Sequence, residues 1–302
     1  LTDKGTTNAW GSEVNSERFT LSNKTGYVFP DTPYKSIGLQ NSFQSHRQDS
    51  YFGLNSYDIH QKSWYGNLIY NSIIGNTQHK FATGLSGTYD DYNEQLTTSA
   101  LAGDFSRIDR SVGAFFEYTY DNLSNFSFVA GVRADSHNNL GNFITPRFHL
   151  RYNPWKEATF RLSAGRGKRA ANVIAENQQL LASSRQLHII GGDGGKLYGL
   201  NPEIAWNYGA SFLQAFKIWG KNAELSVDFY RTHFDNQVVV DLDPSPQQAL
   251  FYNLDGKSFA NSLQAEVSIT PAKGLDFKAA YKYYDVQTQF TKGQLEKTLT
   301  PK

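Results

Sequence analysis

Leu263, Ala265, Val267 and Ile269 alternate with Ser262, Gln264, Glu266 and Ser268. A two-residue period is the mark of a strand whose two faces meet two different surroundings. The same rhythm recurs along the chain. Leu275, Phe277, Ala279, Tyr281 and Tyr283 oppose Asp276, Lys278 and Lys282. Ala223, Leu225, Val227 and Phe229 oppose Glu224, Ser226, Asp228 and Tyr230. Phe126, Phe128, Ala130, Val132 and Ala134 oppose Ser127, Arg133 and Asp135. Phe148, Leu150 and Tyr152 oppose Arg147, His149 and Arg151, and Phe160, Leu162 and Ala164 oppose Thr159, Arg161 and Ser163. Alternation alone fits a soluble sandwich too. Full charges on one face and aromatics on the other, over strands of about ten residues or more, predict an all-β, antiparallel transmembrane barrel.

Composition narrows the classes. Aromatics make up 15% of the 302 residues, with 18 Tyr, 21 Phe and 5 Trp, as a barrel with aromatic girdles requires. Mean hydropathy is −0.53 and no long apolar run exists, which excludes helical spans. A net charge of +1 argues against a nucleic-acid partner. Without cysteine there is no disulfide framework, thiol nucleophile or thiolate zinc site. The chain has no Met, shows no signal peptide, and ends at Thr300-Pro301-Lys302 just after a strong strand; it is expected to be a piece of a longer precursor.

Turn signals divide the chain into about twelve strands: 16–29, 34–47, 60–74, 77–90, 108–121, 125–136, 143–153, 157–168, 204–218, 222–236, 249–270 and 275–290. The joins at Pro30–Thr32, Gly75–Asn76, Asp121–Ser124, Asn153–Lys156, Trp219–Lys221 and Pro271–Gly274 are short. Between them fall longer joins at 48–59, 91–107, 137–142, 169–203 and 237–248. Short and long alternate throughout, which is the plan of tight periplasmic turns and long extracellular loops in an outer-membrane barrel. Neither terminal segment carries a closure signal. An open edge invites aggregation, so further strands are expected on either side.

The longest join holds the most specific sequence. It follows Phe160-Arg-Leu-Ser-Ala-Gly-Arg-Gly-Lys-Arg169, runs through Ala170-Ala-Asn-Val-Ile-Ala-Glu-Asn177, and reaches Gly199-Leu-Asn-Pro-Glu203 before a strand at Trp206-Asn-Tyr-Gly209. This resembles the barrel of TonB-dependent outer-membrane receptors, with closest likeness to those of the Bacteroidetes group. In that family a strand ends near Gly-x-x-Arg-Ala-Pro and Leu-x-Pro-Glu opens the next. Arg169-Ala170 matches the first, with Ala171 where proline is usual; Leu200, Pro202 and Glu203 match the second. Gly131-Val-Arg-Ala-Asp135, Thr145-Pro-Arg147, Phe229-Tyr-Arg-Thr232 and Asn253 with the Leu263–Val267 strand also resemble family motifs, although Gln264 stands where glutamate is common.

The resemblance implies about half of a 22-stranded barrel with a plugged lumen. It also implies active uptake of a scarce ligand, an iron–siderophore first, cobalamin or a glycan next. The plug and the TonB contact precede the barrel in the family and lie outside this chain. The partners implied are therefore outer-membrane lipid, a small-molecule ligand such as a metal chelate, and the TonB complex through that plug. No cofactor is called for.

Several residues acquire expected roles. Pro202 fixes φ just before a strand, and Glu203 is placed to pair with Arg169 at the base of the loop. Ala171–Ser184 reads as one short amphipathic helix with Ile174, Asn177 and Leu181 on one face, a lid at the outer rim. Arg147, His149, Arg151, Arg161, Glu224, Asp228, Glu266, Asp276, Lys278 and Lys282 are expected to line the lumen, against a plug or water. Ligand contacts are expected on the extracellular loops: His46, Arg47 and Tyr51, then Tyr89, Tyr92 and the neighbourhood of Asp104, then Arg185 and His188. Arginine suits carboxylate or phosphate, and tyrosine suits sugars or catecholates.

Other chemistries find little support. His46, His60, His79, His137, His149, His188 and His233 show no metal-ligand spacing. Asp241-Leu-Asp243 reads as a solvated loop. Gly191-Gly-Asp-Gly-Gly-Lys196 fails as a phosphate loop, because Ile190 holds the first glycine position and Leu197 follows the lysine. An outer-membrane phospholipase places a serine soon after its histidine, whereas Asn138 and Asn139 follow His137. The remaining alternative is a passive porin or an adhesin, neither of which requires the lid or the Leu-x-Pro-Glu loop base.

Overall fold

The computed structural model describes residues 4–191, 197–290 and 296–297. The elements run β1 (Ser12–Val28), β2 (Ser36–Phe52), β3 (Asn55–Ile74), β4 (Asn76–Thr97), β5 (Ala102–Asp104), β6 (Arg107–Asp121), β7 (Phe126–His137), β8 (Gly141–Tyr152) and β9 (Ala158–Arg169). A 3-10 helix (Ala175–Ala182) and β10 (Gln186–Ile189) follow. The chain continues through β11 (Glu203–Ile218), β12 (Lys221–Asn236), β13 (Val238–Asp241), β14 (Gln248–Asn253), β15 (Ser258–Ala272), β16 (Leu275–Thr288) and β17 (Glu296–Lys297).

The wall is one antiparallel sheet in chain order, β1-β2-β3-β4-β6-β7-β8-β9-β11-β12-β15-β16-β17, with β5 paired to β4. Among the described residues its two edges do not pair, so the sheet is an open arc of a barrel. Cross-strand partners share a face, and the register therefore sorts every side chain. Arg147 pairs Gly165, His149 pairs Ser163, and Arg151 pairs Arg161. Arg161 pairs Ser211, Ser211 pairs Asp228, and Ala215 pairs Glu224. Ser226 pairs Glu266, and Ser268 pairs Lys278. Gln264 pairs Lys282, and Asp276 shares the Lys278 face of β16, so all ten residues expected in the lumen lie on one face. Arg147 pairs with Glu117, and Lys278 with Glu266 at 2.7 Å. The opposite face is aromatic and aliphatic. Near the short-turn end Phe81 stacks on Phe116, and Tyr118, Tyr120 and Phe126 all meet Phe128.

The short joins fall where expected, but the other end differs in four places. The 48–59 join is a hairpin: β2 and β3 stay paired up to Phe52 and Asn55, with Gly53 at φ 62° in the turn. β4 likewise runs on to Thr97, and β7–β8 close through residues 138–140. Tall hairpins above the membrane obey the same alternation as spanning strands, which is why the sequence period does not mark the membrane boundary. Finally, 249–270 is not one strand. β14 and β15 belong to different sheets, separated at residues 254–257.

β14 pairs in parallel with β10 and antiparallel with β13, giving a small second sheet. This sheet and the 3-10 helix form a lid against the charged face of the wall. Its core joins Ala171, Val173, Ile174, Leu180, Leu181, Leu187, Leu200, Ala249 and Phe251 to Tyr57 of β3 and Leu96 of β4. Fully burying one such side chain contributes about 1.5–3 kcal/mol, so the lid is held by hydrophobic packing first. The expected helix over 171–184 is shorter and of 3-10 type. Asn177 leaves helical geometry (φ −130°, ψ 30°) and its amide donates to the Val173 carbonyl at 2.8 Å. Asparagine competes in this way with the backbone ladder. The buried side chains are Val173, Ile174, Leu180 and Leu181 rather than one stripe at helical spacing.

Candidate functional site

Where lid meets wall, a buried carboxylate gathers three donors. Glu94 on β4 is 1% exposed. Its Oε1 accepts from the Tyr57 hydroxyl at 3.0 Å, and its Oε2 from Arg107 Nη1 at 2.6 Å and the Tyr198 hydroxyl at 2.7 Å. Tyr57 and Glu94 come from adjacent strands, Arg107 opens β6, and Tyr198 belongs to the lid. Arg107 extends the network in both directions. Nη2 bonds the Asn172 side chain at the start of the lid, and Nε reaches Asp109 at 3.3 Å. The guanidinium also lies over the Tyr92 ring at 4.0 Å to the centroid. Charge-assisted bonds of this kind are the strong ones, and a buried charge is tolerable only when so satisfied. Burial first, and the Glu94 charge next, raise the Tyr198 hydroxyl above its ordinary pKa, so it stays a donor at neutral pH.

A second tie secures the lid base. Arg169 faces Glu203 across β9 and β11, with Nε 2.6 Å from Oε2. The expected pair is therefore formed. Arg169 also holds Glu176 of the 3-10 helix at 2.8 and 3.1 Å. Glu203 Oε1 accepts from the Val238 amide at 3.2 Å, and the Pro202 carbonyl accepts from Asn236 at 2.7 Å. Arg169, Pro202 and Glu203 thus join both halves of the lid to the wall.

The residues expected to meet ligand are dispersed. His46 and Tyr92 lie on the lid-covered face, opposite Gln61 of β3. Arg47, Tyr51 and Tyr89 are on strands, not loops, and face the other way: Arg47 pairs His60, Tyr51 pairs Ser56, and Tyr89 pairs Trp64. Arg47 is bound to its neighbour Asp49 at 2.9 Å. Asp104 lies in the short edge strand β5, and its carboxylate accepts from the Ser106 amide. Arg185 holds the lid together, its Nη1 donating to the carbonyls of Leu242, Ser245 and Gln248 at 2.8–3.0 Å. His188 stands on β10 with its buried Nε2 unpaired. His137 caps its own turn, Nδ1 accepting from the amides of Asn139 and Leu140. Asp241 accepts from the Tyr252 hydroxyl and the Asp243 amide. Among the described residues no acidic or histidine group is arranged to hold a metal ion. The segment Gly192–Lys196 lies outside the described residues.

Glu94, Arg107, Tyr57 and Tyr198 were not foreseen. Each sits in a strand or loop with ordinary local sequence; the β3–β4–β6 register brings Tyr57, Glu94 and Arg107 together, and the lid adds Tyr198.

The chain is thus an open antiparallel arc with one charged face, one aromatic face and a lid at its long-loop end. Residues 2–301 match the family described as TonB dependent receptor-like, beta-barrel. The chain belongs to the TonB-dependent receptor family. It is a barrel segment of the outer membrane of a Gram-negative bacterium. Solved structures agree in fold. A mutant of the ferric enterobactin receptor PfeA from Pseudomonas aeruginosa aligns with TM-score 0.65 at 14% identity, over 92% of this chain and 48% of that one. The alcaligin outer-membrane receptor FauA from Bordetella pertussis gives 0.61 at 14%, over 92% and 48%. A double mutant of the hemophore receptor HasR from Serratia marcescens, in complex with its hemophore and heme, gives 0.67 at 12%, over 95% and 53%. The chain spans about half the length of these solved relatives. No curated protein matches the chain by sequence. The family is one of receptors and transporters rather than enzymes.

Proposed function

We propose that this chain is the wall and lid of a receptor that takes up a scarce ligand across the outer membrane with energy from the TonB complex. The lid carries this reading. Residues 170–191, 197–201 and 237–253 form a packed, ion-paired cover on the lumen face at the extracellular end, a feature a passive porin has no use for. The charged lumen face below it is suited to hydrogen-bond a plug domain, through which TonB acts in the family. A chelated iron complex is the first ligand to try, because PfeA and FauA bear the names of ferric enterobactin and alcaligin; cobalamin and glycans follow. His46, Tyr92 and His188 are the lid-side candidates for contact. The family context and the absence of a serine soon after His137 both speak for a binding protein rather than a hydrolase.

The test uses the full-length receptor with its plug. Deleting 172–198 is expected to abolish binding and ligand-dependent growth while leaving the barrel heat-stable. Unchanged affinity in that deletion would show that the lid is not part of the site. Uptake that persists without TonB would overturn active transport in favour of a pore.

A further inference from the structure

Four arginines on the lumen face each hold a carboxylate that the wall itself supplies. Arg107 holds Glu94, Arg133 holds Asp135, Arg147 holds Glu117, and Arg169 holds Glu203. Arg151 and Arg161 break this pattern. They are direct cross-strand partners on β8 and β9, so two like charges stand side by side. Like charges in that position are destabilising. Arg151 donates its Nε to Asn153 Oδ1 at 3.1 Å, and Arg161 has no partner among the described residues.

The register builds a hollow around this pair. One cross-strand row reads Ser127, Arg151, Arg161, Ser211 and Asp228 from β7 to β12. The next row toward the lid sets His149 beside Ser163, Ser163 beside Gly209, and Gly209 beside Tyr230. Small residues thus hold the middle of both rows, with basic side chains on one flank and Asp228 and Tyr230 on the other. The hollow has a volume of about 500 Å³. Gly209 is required there, because a Cβ at this position would meet the Ser163 hydroxyl at 2.5 Å and the Tyr230 ring at 2.7 Å. The Tyr230 ring therefore lies across Gly209, with about half of the residue exposed. Arg161 is eight residues along β9 from Arg169 at the lid base, about 26 Å toward the short-turn end.

We propose that this hollow is a second ligand station on the lumen wall, and that the ligand is a hydroxylated ring bearing a carboxylate. The proposal rests on the uptake reading above and narrows its ligand class. The carboxylate sits between Arg151 and Arg161, whose planar guanidinium groups suit bidentate hydrogen bonds to it. The ring stacks on Tyr230, and Asp228 accepts from its hydroxyl groups.

Two observations favour a ligand over a purely structural role. An arginine that served only the wall would have a wall carboxylate, as Arg107, Arg133, Arg147 and Arg169 do. A single acidic side chain reaching in from a plug would fill only part of the hollow, whereas a volume of about 500 Å³ is that of a small-molecule site. A neutral glycan leaves the two charges unanswered, and an anion without a ring leaves Tyr230 unused.

The test is equilibrium dialysis of the full receptor, plug included, with protocatechuate as the acidic probe and catechol as its neutral counterpart. Wild type is expected to bind the acid about tenfold or more tighter than catechol, the share of a hydrogen bond to a charged group. Arg151→Gln and Arg161→Gln each relieve a like-charge contact, so the variants fold, and each should remove most of that preference. Tyr230→Leu should weaken both probes alike. Acid binding that is lost on deleting 172–198 and unchanged in the arginine variants would overturn the proposal and place the probe at the lid. No preference for the acid in wild type would also overturn it; a lower melting temperature in R151Q/R161Q would then give the pair to a plug carboxylate. Uptake that persists without TonB would refute active transport but leave these binding results standing, so the two readings fail separately.

Discussion

Replacing Arg107 by methionine should unlatch the lid without unfolding the wall. The substitution leaves the Glu94 carboxylate 1% exposed and without its cation, with only the Tyr57 and Tyr198 hydroxyls as donors. Breaking a buried ion pair by removing one partner costs about 3–5 kcal/mol. Two hydroxyls still bond the carboxylate, so the lower end of the range applies, about 3 kcal/mol, or roughly a hundredfold rise in lid opening. Hydrogen exchange followed by mass spectrometry reads this directly, through lid peptides spanning 170–190 in the refolded receptor, with wall peptides unchanged. R107M with Glu94→Gln should recover most of the loss, because no buried charge remains. Equal lid exchange in wild type and R107M would refute the reasoning. Equal exchange in R107M and the double variant would refute the electrostatic part and leave only packing.

Other expectations concern the same lid. Leu181→Ala removes a side chain that is 1% exposed in the lid core and should destabilise the lid by about 2–5 kcal/mol, seen as faster exchange of 175–189 with an unchanged barrel melt. Glu203→Gln weakens the tie to Arg169, whose side chain is 59% exposed, so solvent screening holds the loss to about 1 kcal/mol or less in thermal denaturation. Burial and the Glu94 charge raise the Tyr198 hydroxyl, so its contribution is complete below the unfolded tyrosine value of about 10 and falls as pH rises beyond it. Lid protection should therefore hold from neutral pH to about 10 and decline above, and Tyr198→Phe should flatten that decline.

What the sequence disclosed and what it hid follow from the range of each signal. Alternation is local. It placed Leu263–Ile269 and Ala223–Phe229 on one face and Arg147, Arg161, Asp228 and Glu266 on the other, as the register bears out. Turn chemistry is also local, and the short joins at Gly75, Asn153–Lys156 and Trp219–Gly220 stand where they were read. Partnership between distant segments is not local. Nothing in Gln248–Asn253 announces that it leaves the wall to lie parallel to Gln186–Ile189, because both remain apolar runs of strand character. The same blindness misplaced Arg47, Tyr51 and Tyr89. A tall hairpin above the membrane alternates like a spanning strand, so its residues were assigned to loops and its outward face was taken for ligand contact. Glu94 offers the sharpest case. By sequence it is one acidic residue among Asp90, Asp91 and Asn93 near a strand end, and solvent would satisfy it. Only when β3, β4 and β6 are set side by side does the lid descend on it, and then Arg107 and two tyrosines become obligatory. The lid is therefore the part of this chain least determined by local pattern, because its apolar core and the buried Glu94 carboxylate both depend on partners far away in sequence.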